Sequence, residues 1–179
     1  MTRYHALFIY GLVMIITGVL VASLGANPLS MLQYIIATGM FLSSILAFYT
    51  AYACKNFQVP MKYHALHGVG MLILVAAILI YATNIEKFYL VTISFFYYYG
   101  MTEIVFCLQL LMFKDIINLK TLAIRCFIGF LVIIGAITVS NISTGNPRMA
   151  ISMIGIVFVF IGVNVILYKT VLKRLEKTF

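Results

Sequence analysis

The chain has 179 residues, of which 64% are hydrophobic and only 9% are charged, and its mean hydropathy is +1.13. Soluble domains average about 45–50% apolar and about 25% charged residues, so this composition excludes a soluble globular protein. Six helices of roughly 20 residues each would leave only about 59 residues for all loops and both ends, which excludes a sizeable extramembrane domain within these residues.

Six apolar runs are long enough to cross a bilayer as helices. The breaks between them carry charges or turn residues such as Gly25-Ala26-Asn27-Pro28. Because the runs are apolar on every face and do not alternate, a transmembrane β-barrel is excluded. The sequence therefore predicts an all-α transmembrane protein, a six-helix bundle that forms a single integral membrane domain over residues 1–179. The predicted spans are Ala6–Leu24, Met31–Tyr52, Ala65–Tyr81, Phe88–Phe113, Leu122–Ser140 and Met149–Tyr168.

The basic residues are divided unequally between the two sides of the predicted bundle. With six spans, both chain ends share one side with the second and fourth loops, and that side carries ten of the twelve Lys and Arg residues. Only Lys87 and Arg148 lie on the other side. This bias predicts that both termini are cytoplasmic. The formal net charge of +8 has the same origin, because a basic rim favours anionic lipid head groups. No nucleic-acid-binding motif accompanies it, so nucleic acid is not an expected partner.

An offset of 59 residues relates parts of the chain to one another. Tyr4-His5-Ala6-Leu7 recurs as Tyr63-His64-Ala65-Leu66, and Gly11 is followed at the same offset by Gly70 and Gly129. These coincidences predict three tandem helical hairpins in parallel orientation. Their approximate limits are 4–54, 63–113 and 122–173.

Small residues seven positions apart occur in the first, third and fifth spans, which places both members of each pair on one helix face. Helices in lipid associate where small side chains let the backbones approach. The sequence therefore predicts that these stripes line a central helix contact. The alternative is that glycine is simply frequent in membrane helices. The candidate packing residues are Gly11 and Gly18, Gly70 and Ala77, and Gly129 and Ala136.

Two of the predicted hairpins have an Asn-Pro outer turn, at Asn27-Pro28 and Asn146-Pro147, and all three have a glycine in the return helix. This pattern resembles the HdeD-like family of small six-helix proteins of the bacterial inner membrane. The second hairpin departs from it, with Asn84-Ile85-Glu86-Lys87 in place of Asn-Pro. The resemblance implies a multi-pass protein of the bacterial cytoplasmic (inner) membrane with a role in acid resistance or a related stress response. It implies no catalytic residues. The return-helix glycines are Gly39, Gly100 and Gly155.

Glu103 is the only acidic residue deep in a predicted span, roughly 16 Å along the fourth helix from Lys114. Because burial penalises the charged form of a carboxyl group, Glu103 is a candidate for proton binding or acid sensing. Arg125 lies near the start of the fifth helix, at an axial separation of roughly 10 Å that two extended side chains could close. In the alternative, Arg125 reaches the cytoplasmic rim and Glu103 stays protonated, hydrogen-bonded to a tyrosine or a backbone carbonyl.

Three histidines, His5, His64 and His67, lie at the cytoplasmic ends of the first and third spans. They are candidate pH sensors, and the other interpretation is a structural role at the helix ends. No metal site is predicted, since His64 and His67 have no acidic or thiol companion in sequence. The chain has twelve tyrosines and no tryptophan, so tyrosine is expected to form the belt at the membrane interfaces. The tyrosines near span ends are Tyr4, Tyr34, Tyr52, Tyr63, Tyr81, Tyr89 and Tyr168.

The sequence favours a non-enzymatic membrane protein of HdeD-like type that supports tolerance of acid or general stress. The alternative is a small proton-linked transporter or channel with Glu103 as the protonatable group. An enzyme is not predicted, because the chain lacks an acidic pair, a serine–histidine arrangement, a histidine-rich cluster and a phosphate-binding glycine loop. The expected partners are the lipid bilayer and either a second copy of the chain or another membrane protein, with no cofactor.

Overall fold

A computed structural model describes residues 3–24, 28–113 and 118–175. The described residues contain six long helices and no strand, which confirms the all-helical prediction. A short 3-10 segment, Leu111–Phe113, extends the fourth helix. The helices are α1 (Arg3–Leu24), α2 (Leu29–Ala53), α3 (Gln58–Ile80), α4 (Ile85–Leu110), α5 (Leu119–Ile142) and α6 (Pro147–Leu175).

Asparagine residues mark where three of the helices begin. The side-chain oxygens of Asn84, Asn118 and Asn146 each accept a hydrogen bond from a backbone N–H two or three residues later, at 2.9–3.1 Å. Such caps satisfy amide groups that the first helical turn leaves without a partner. Pro147 follows Asn146 at the first helical position, where its missing N–H costs nothing. The breaks identified in the sequence therefore contain the signals that start α4, α5 and α6.

All six helices are long and apolar enough to cross a membrane, with mean hydropathies of 1.3–2.6 over the most apolar windows. Only 39–56% of each such window is buried inside the bundle. The remaining surface presents large apolar side chains such as Phe8, Ile73 and Phe127. An apolar surface of this extent is stable in contact with lipid chains and not in water. The chain is therefore a multi-pass integral membrane protein.

The helices form a closed ring in chain order, in which each helix packs against its neighbours in sequence and α6 returns to α1. Packing is most extensive between α1 and α6, followed by α2 with α3 and α4 with α5. The two helices within each predicted hairpin pack less closely. The main helix interfaces therefore lie between successive hairpins, and the weakest of the six lies between α3 and α4.

The predicted central contact among the small-residue stripes is wrong, because α1, α3 and α5 alternate with the even-numbered helices around the ring. Gly11 and Gly18 lie instead against α6. A Cβ atom at Gly11 would lie 2.6 Å from the Gly162 carbonyl oxygen, and one at Gly18 would lie 2.5 Å from the Gly155 carbonyl oxygen. The α1 and α6 backbones are therefore in direct contact through glycines on both helices.

The other small residues also pack between neighbouring helices. Gly129 of α5 lies against α4, where a Cβ would come 3.4 Å from the Gly100 carbonyl oxygen. Gly70 of α3 lies against the ring of Tyr98 in α4. Ala136 is fully buried in the core. Gly70 and Gly129 therefore pack against adjacent helices of the ring, whereas Ala77 is half-buried and lines a cavity between α3 and α4.

Large side chains fill the centre of the ring. Phe96 of α4 and Phe158 of α6 meet edge to face, with ring centroids 5.1 Å apart. The Tyr10 hydroxyl of α1 donates to the Met71 sulfur of α3 at 3.7 Å. Helices that are not neighbours in the ring are therefore connected by side chains across its interior.

Candidate functional site

Charged and polar side chains of three helices meet in the half of the bundle nearest the chain ends. Tyr63 lies in the second turn of α3, Arg125 in the second turn of α5, and Glu103 two turns before the end of α4. Since α3 and α5 begin at the end of the bundle where α4 finishes, the three residues come to the same depth. Glu103 and Arg125 have no exposed surface, and Tyr63 is 6% exposed.

An ion pair forms the centre of this site. The Arg125 Nη2 atom donates to Glu103 Oε1 at 2.6 Å and to the Tyr63 hydroxyl oxygen at 3.1 Å. The Tyr63 hydroxyl donates in turn to Glu103 Oε2. The Cys107 thiol, one turn along α4, lies 3.5 Å from Glu103 Oε1. We call these four residues the carboxylate cluster. Both carboxylate oxygens accept hydrogen bonds, and the bond from Arg125 is charge-assisted.

The alternative in which Arg125 extends to the membrane rim is wrong. Its guanidinium is fully buried and lies over the ring of Tyr168 in α6, 4.5 Å from the centroid. The Phe106 ring lies on another side, at 5.5 Å. A buried guanidinium is costly unless it is paired, and here a carboxylate and aromatic faces surround it. The structure thus brings Glu103 and Arg125 together, while their role in proton binding stays a prediction.

Two glycines place the ion pair between α4 and α5. Gly100 lies three residues before Glu103, and Gly129 lies four residues after Arg125, so each helix has a glycine and a charged residue on one face. A Cβ atom at Gly129 would lie 3.3 Å from Glu103 Cγ. Because the two helices approach closely at these glycines, the Glu103 carboxyl group extends along α5 and reaches the Arg125 guanidinium.

His67 extends the cluster towards α4. Its Nδ1 atom lies 2.9 Å from the Tyr63 carbonyl oxygen, and its Nε2 atom lies 3.3 Å from the Thr102 hydroxyl oxygen. The ring also packs against that of Tyr63, with centroids 4.2 Å apart and the two planes tilted by 51°. His67 is 2% exposed. It therefore lies inside the bundle, in the third turn of α3.

His64 is buried as well, and His5 is not. The His64 ring meets Tyr168 edge to face at 4.7 Å, and neither of its nitrogens has a hydrogen-bond partner among the described residues. It lies in the second turn of α3, near the helix end predicted from the sequence, with its ring in the core. His5 lies on the exposed face of α1, apart from the carboxylate cluster. Of the three candidate pH-sensing residues, the structure thus brings two to the site.

The site also contains tyrosines that the sequence assigned to the interface belt. Tyr34 and Tyr52 are 67% and 71% exposed, as a belt requires, whereas Tyr168 is fully buried and Tyr63 nearly so. The spacing of Tyr63 and His67, four residues apart on one helix face, is the sequence signal that could have placed Tyr63 inside. Nearby, the Asn164 side-chain amide donates to the Tyr99 hydroxyl oxygen at 3.3 Å.

The site is electrically balanced, with one carboxylate against one guanidinium. A proton added to Glu103 would leave a net positive charge in a fully buried position. Among the residues that the structure describes, no group of three or more His, Cys, Asp or Glu side chains could hold a metal ion.

No family model, curated protein or solved structure matches the chain. Its class is defined by the fold and the site together: a six-helix integral membrane protein with an ion pair buried between three of its helices.

Proposed function

We propose that this chain is a non-enzymatic inner-membrane protein of HdeD-like type that supports tolerance of acid or general stress, with the carboxylate cluster as its acid-sensitive element. The observation that carries the proposal is the fully buried pair of Glu103 and Arg125, 2.6 Å apart. An ionisable group within a membrane protein is a functional-site hypothesis by default, and here it joins α3, α4 and α5.

The effect of acid follows from the contacts of Glu103. The groups that face it are Arg125 from α5, Tyr63 from α3 and Cys107 from its own helix, and His67 lies beyond Tyr63. With the carboxylate ionised, the guanidinium is compensated. Protonation of Glu103 removes that compensation and leaves the buried guanidinium without its counter-charge. The cluster therefore joins α3, α4 and α5 most strongly while both Glu103 and Arg125 are charged.

Infrared spectroscopy tests whether Glu103 takes up a proton. On acidification from about pH 8 to pH 3, we expect a protonated-carboxyl band that is missing in Glu103→Gln. Glu86→Gln is the matched control, because Glu86 lies exposed in the first turn of the same helix and its loss should leave the band in place. Absence of any Glu103 band change across this range would contradict an acid-sensing role.

Survival of acid tests the physiological role. A deletion strain of the native host is complemented with wild type, Glu103→Gln or Glu86→Gln. We expect wild type and Glu86→Gln to restore survival and Glu103→Gln to fail. A deletion without any acid or stress phenotype would contradict the proposed function, and full rescue by Glu103→Gln would reduce the carboxylate to a structural role.

A small proton-linked transporter or channel is the second candidate. It is favoured by a groove of about 270 Å³ between α3 and α4, whose lining includes Tyr63 and Thr102. Tyr63 donates to Glu103, and the Thr102 hydroxyl contacts His67. The Tyr63 side chain therefore lies between the groove and Glu103. Proton flux into liposomes containing the purified chain, abolished by Glu103→Gln and unchanged by Glu86→Gln, would support this candidate.

A further inference from the structure

The α3–α4 interface, the least extensive in the ring, is open towards the lipid-facing surface. Two cavities, of about 270 and 430 Å³, lie along it and share Leu66 as a lining residue. The Tyr98 hydroxyl donates to the Leu66 carbonyl oxygen at 2.6 Å, and the Tyr98 ring packs on Gly70 between the helices. We call the two cavities together the α3/α4 groove.

Polarity changes along this groove in one direction. Lys62 and Gln109 line it at the end of the bundle that carries both termini, and both are exposed. Apolar residues follow towards the membrane centre, first Met101 and Val105 and then Ile73. A phospholipid in this leaflet has the same arrangement, with its polar head at the interface and its chains pointing inward. From Lys62 to Ile73 the groove runs about 16 Å along α3.

The corresponding groove between α1 and α2 differs in one respect. It encloses about 390 Å³ and is lined by apolar residues such as Ile16 and Leu42. None of the residues that line it is charged. The α1/α2 groove is close in volume to the 430 Å³ apolar cavity of the α3/α4 groove, and only the α3/α4 groove adds a cation at head-group depth.

We propose that the α3/α4 groove binds an anionic phospholipid, with its phosphate at Lys62 and Gln109 and one acyl chain along the apolar lining. An acyl chain is as well solvated by the bilayer as by the groove, so the chain alone gives no selectivity. The head group determines the selectivity, because the Lys62 ammonium attracts a phospholipid whose head group carries net negative charge. Tyr63 forms part of the lining, which places the lipid beside the residue that donates to Glu103. This inference does not depend on the function proposed above.

The natural chain contains no tryptophan, so one introduced tryptophan reports on its own surroundings. Met101→Trp places the reporter in the α3/α4 groove, at a side chain that is 55% exposed. Leu42→Trp is the matched control in the α1/α2 groove, at 46% exposure. Both positions lie about three helical turns from the same end of the bundle. Val105→Trp is a second reporter in the α3/α4 groove should Met101→Trp fail to fold.

The full chain is reconstituted in vesicles that contain phosphatidylcholine and phosphatidylglycerol, with bromine on the acyl chains of one or the other lipid to quench fluorescence. At Met101→Trp we expect phosphatidylglycerol to bind about fivefold more strongly than phosphatidylcholine, as one lysine at the surface would give. At Leu42→Trp the ratio should be near one. Adding Lys62→Gln should abolish the preference, and adding Lys55→Gln, the removal of a cation at the same end but outside the groove lining, should preserve it.

Three results would overturn the proposal. Equal quenching by both lipids at Met101→Trp would show that the groove does not select anionic lipid. A preference that persists in Lys62→Gln would show that Lys62 does not bind the head group. Protection of Met101→Trp and Val105→Trp from both brominated lipids would show that protein, such as a second copy of the chain, covers the groove.

Discussion

Two helix contacts in this bundle join their helices by opposite means. Gly11 of α1 lies against Gly162 of α6, backbone to backbone. Gly129 of α5 lies against Glu103 of α4, whose carboxyl group continues to Arg125. The two contacts are related by the offset in the sequence, since Gly129 follows Gly11 by twice 59 residues and Glu103 precedes Gly162 by 59.

The difference separates two ways of holding helices together in lipid. The α1–α6 contact depends on close packing of atoms without charge, and its strength should not change with pH. The α4–α5 contact includes a buried ion pair, which is stable only while both partners are charged. One position of the predicted repeat therefore contributes close packing where glycine occupies it and a buried ion pair where glutamate occupies it.

Loss of the guanidinium should have the largest effect. Arg125→Met leaves the Glu103 carboxylate buried without its cation, and we expect the free energy of unfolding to fall by about 3–5 kcal/mol. Unfolding in mixed micelles with increasing denaturing detergent measures it. The double variant Arg125→Met/Glu103→Gln should recover a large part of the loss, because the unpaired charge is then gone. Equal instability of the single and double variants would show that the ion pair is not what holds α4 to α5.

A methyl group at the α1–α6 contact should have the next largest effect. The Cβ of Gly162→Ala would lie 2.5 Å from the Gly11 carbonyl oxygen, so the helices must separate. We expect a loss of about 1–3 kcal/mol in the same unfolding assay, of equal size at acidic and neutral pH. Gly145→Ala is the control, because no atom lies within 4 Å of its added Cβ, and its change should stay within about 0.5 kcal/mol. A pH-dependent loss at Gly162→Ala would contradict the distinction between the two contacts.

The Tyr63 hydroxyl should contribute less than either. Tyr63→Phe keeps the ring stacked on Phe106 and removes the bonds to Glu103 and Arg125, so we expect a loss of about 1 kcal/mol. Tyr34→Phe, at a side chain that is 67% exposed, should leave stability unchanged.

The sequence predicts the helices and the partners of the ion pair for clear physical reasons. Long apolar runs form helices in a membrane because a helix satisfies its own backbone hydrogen bonds. Glu103 and Arg125 are candidate partners because charged residues in a span need a partner. The sequence does not predict which face of each helix points inward, because the spans are apolar all round and periodicity carries little information. For this reason the sequence predicts Tyr63 and Tyr168 at the interface and Gly11 in a central contact of the first, third and fifth spans. The structure places both tyrosines in the core and Gly11 against α6.

Substitution of Asn164 should have the smallest effect on stability, and it tests whether the buried polar groups act independently. Its amide donates to the Tyr99 hydroxyl at 3.3 Å, but its side-chain oxygen is buried with no partner among the described residues. Asn164→Leu therefore exchanges one long hydrogen bond for the removal of an unsatisfied acceptor, and we expect stability to change by no more than about 0.5 kcal/mol. Combined with Tyr63→Phe, the two effects should add, since Asn164 does not contact the carboxylate cluster directly. A loss of stability comparable to that of Arg125→Met, or strong coupling to Tyr63→Phe, would contradict this expectation. It would mean that the polar groups of the interior form one network that includes the ion pair.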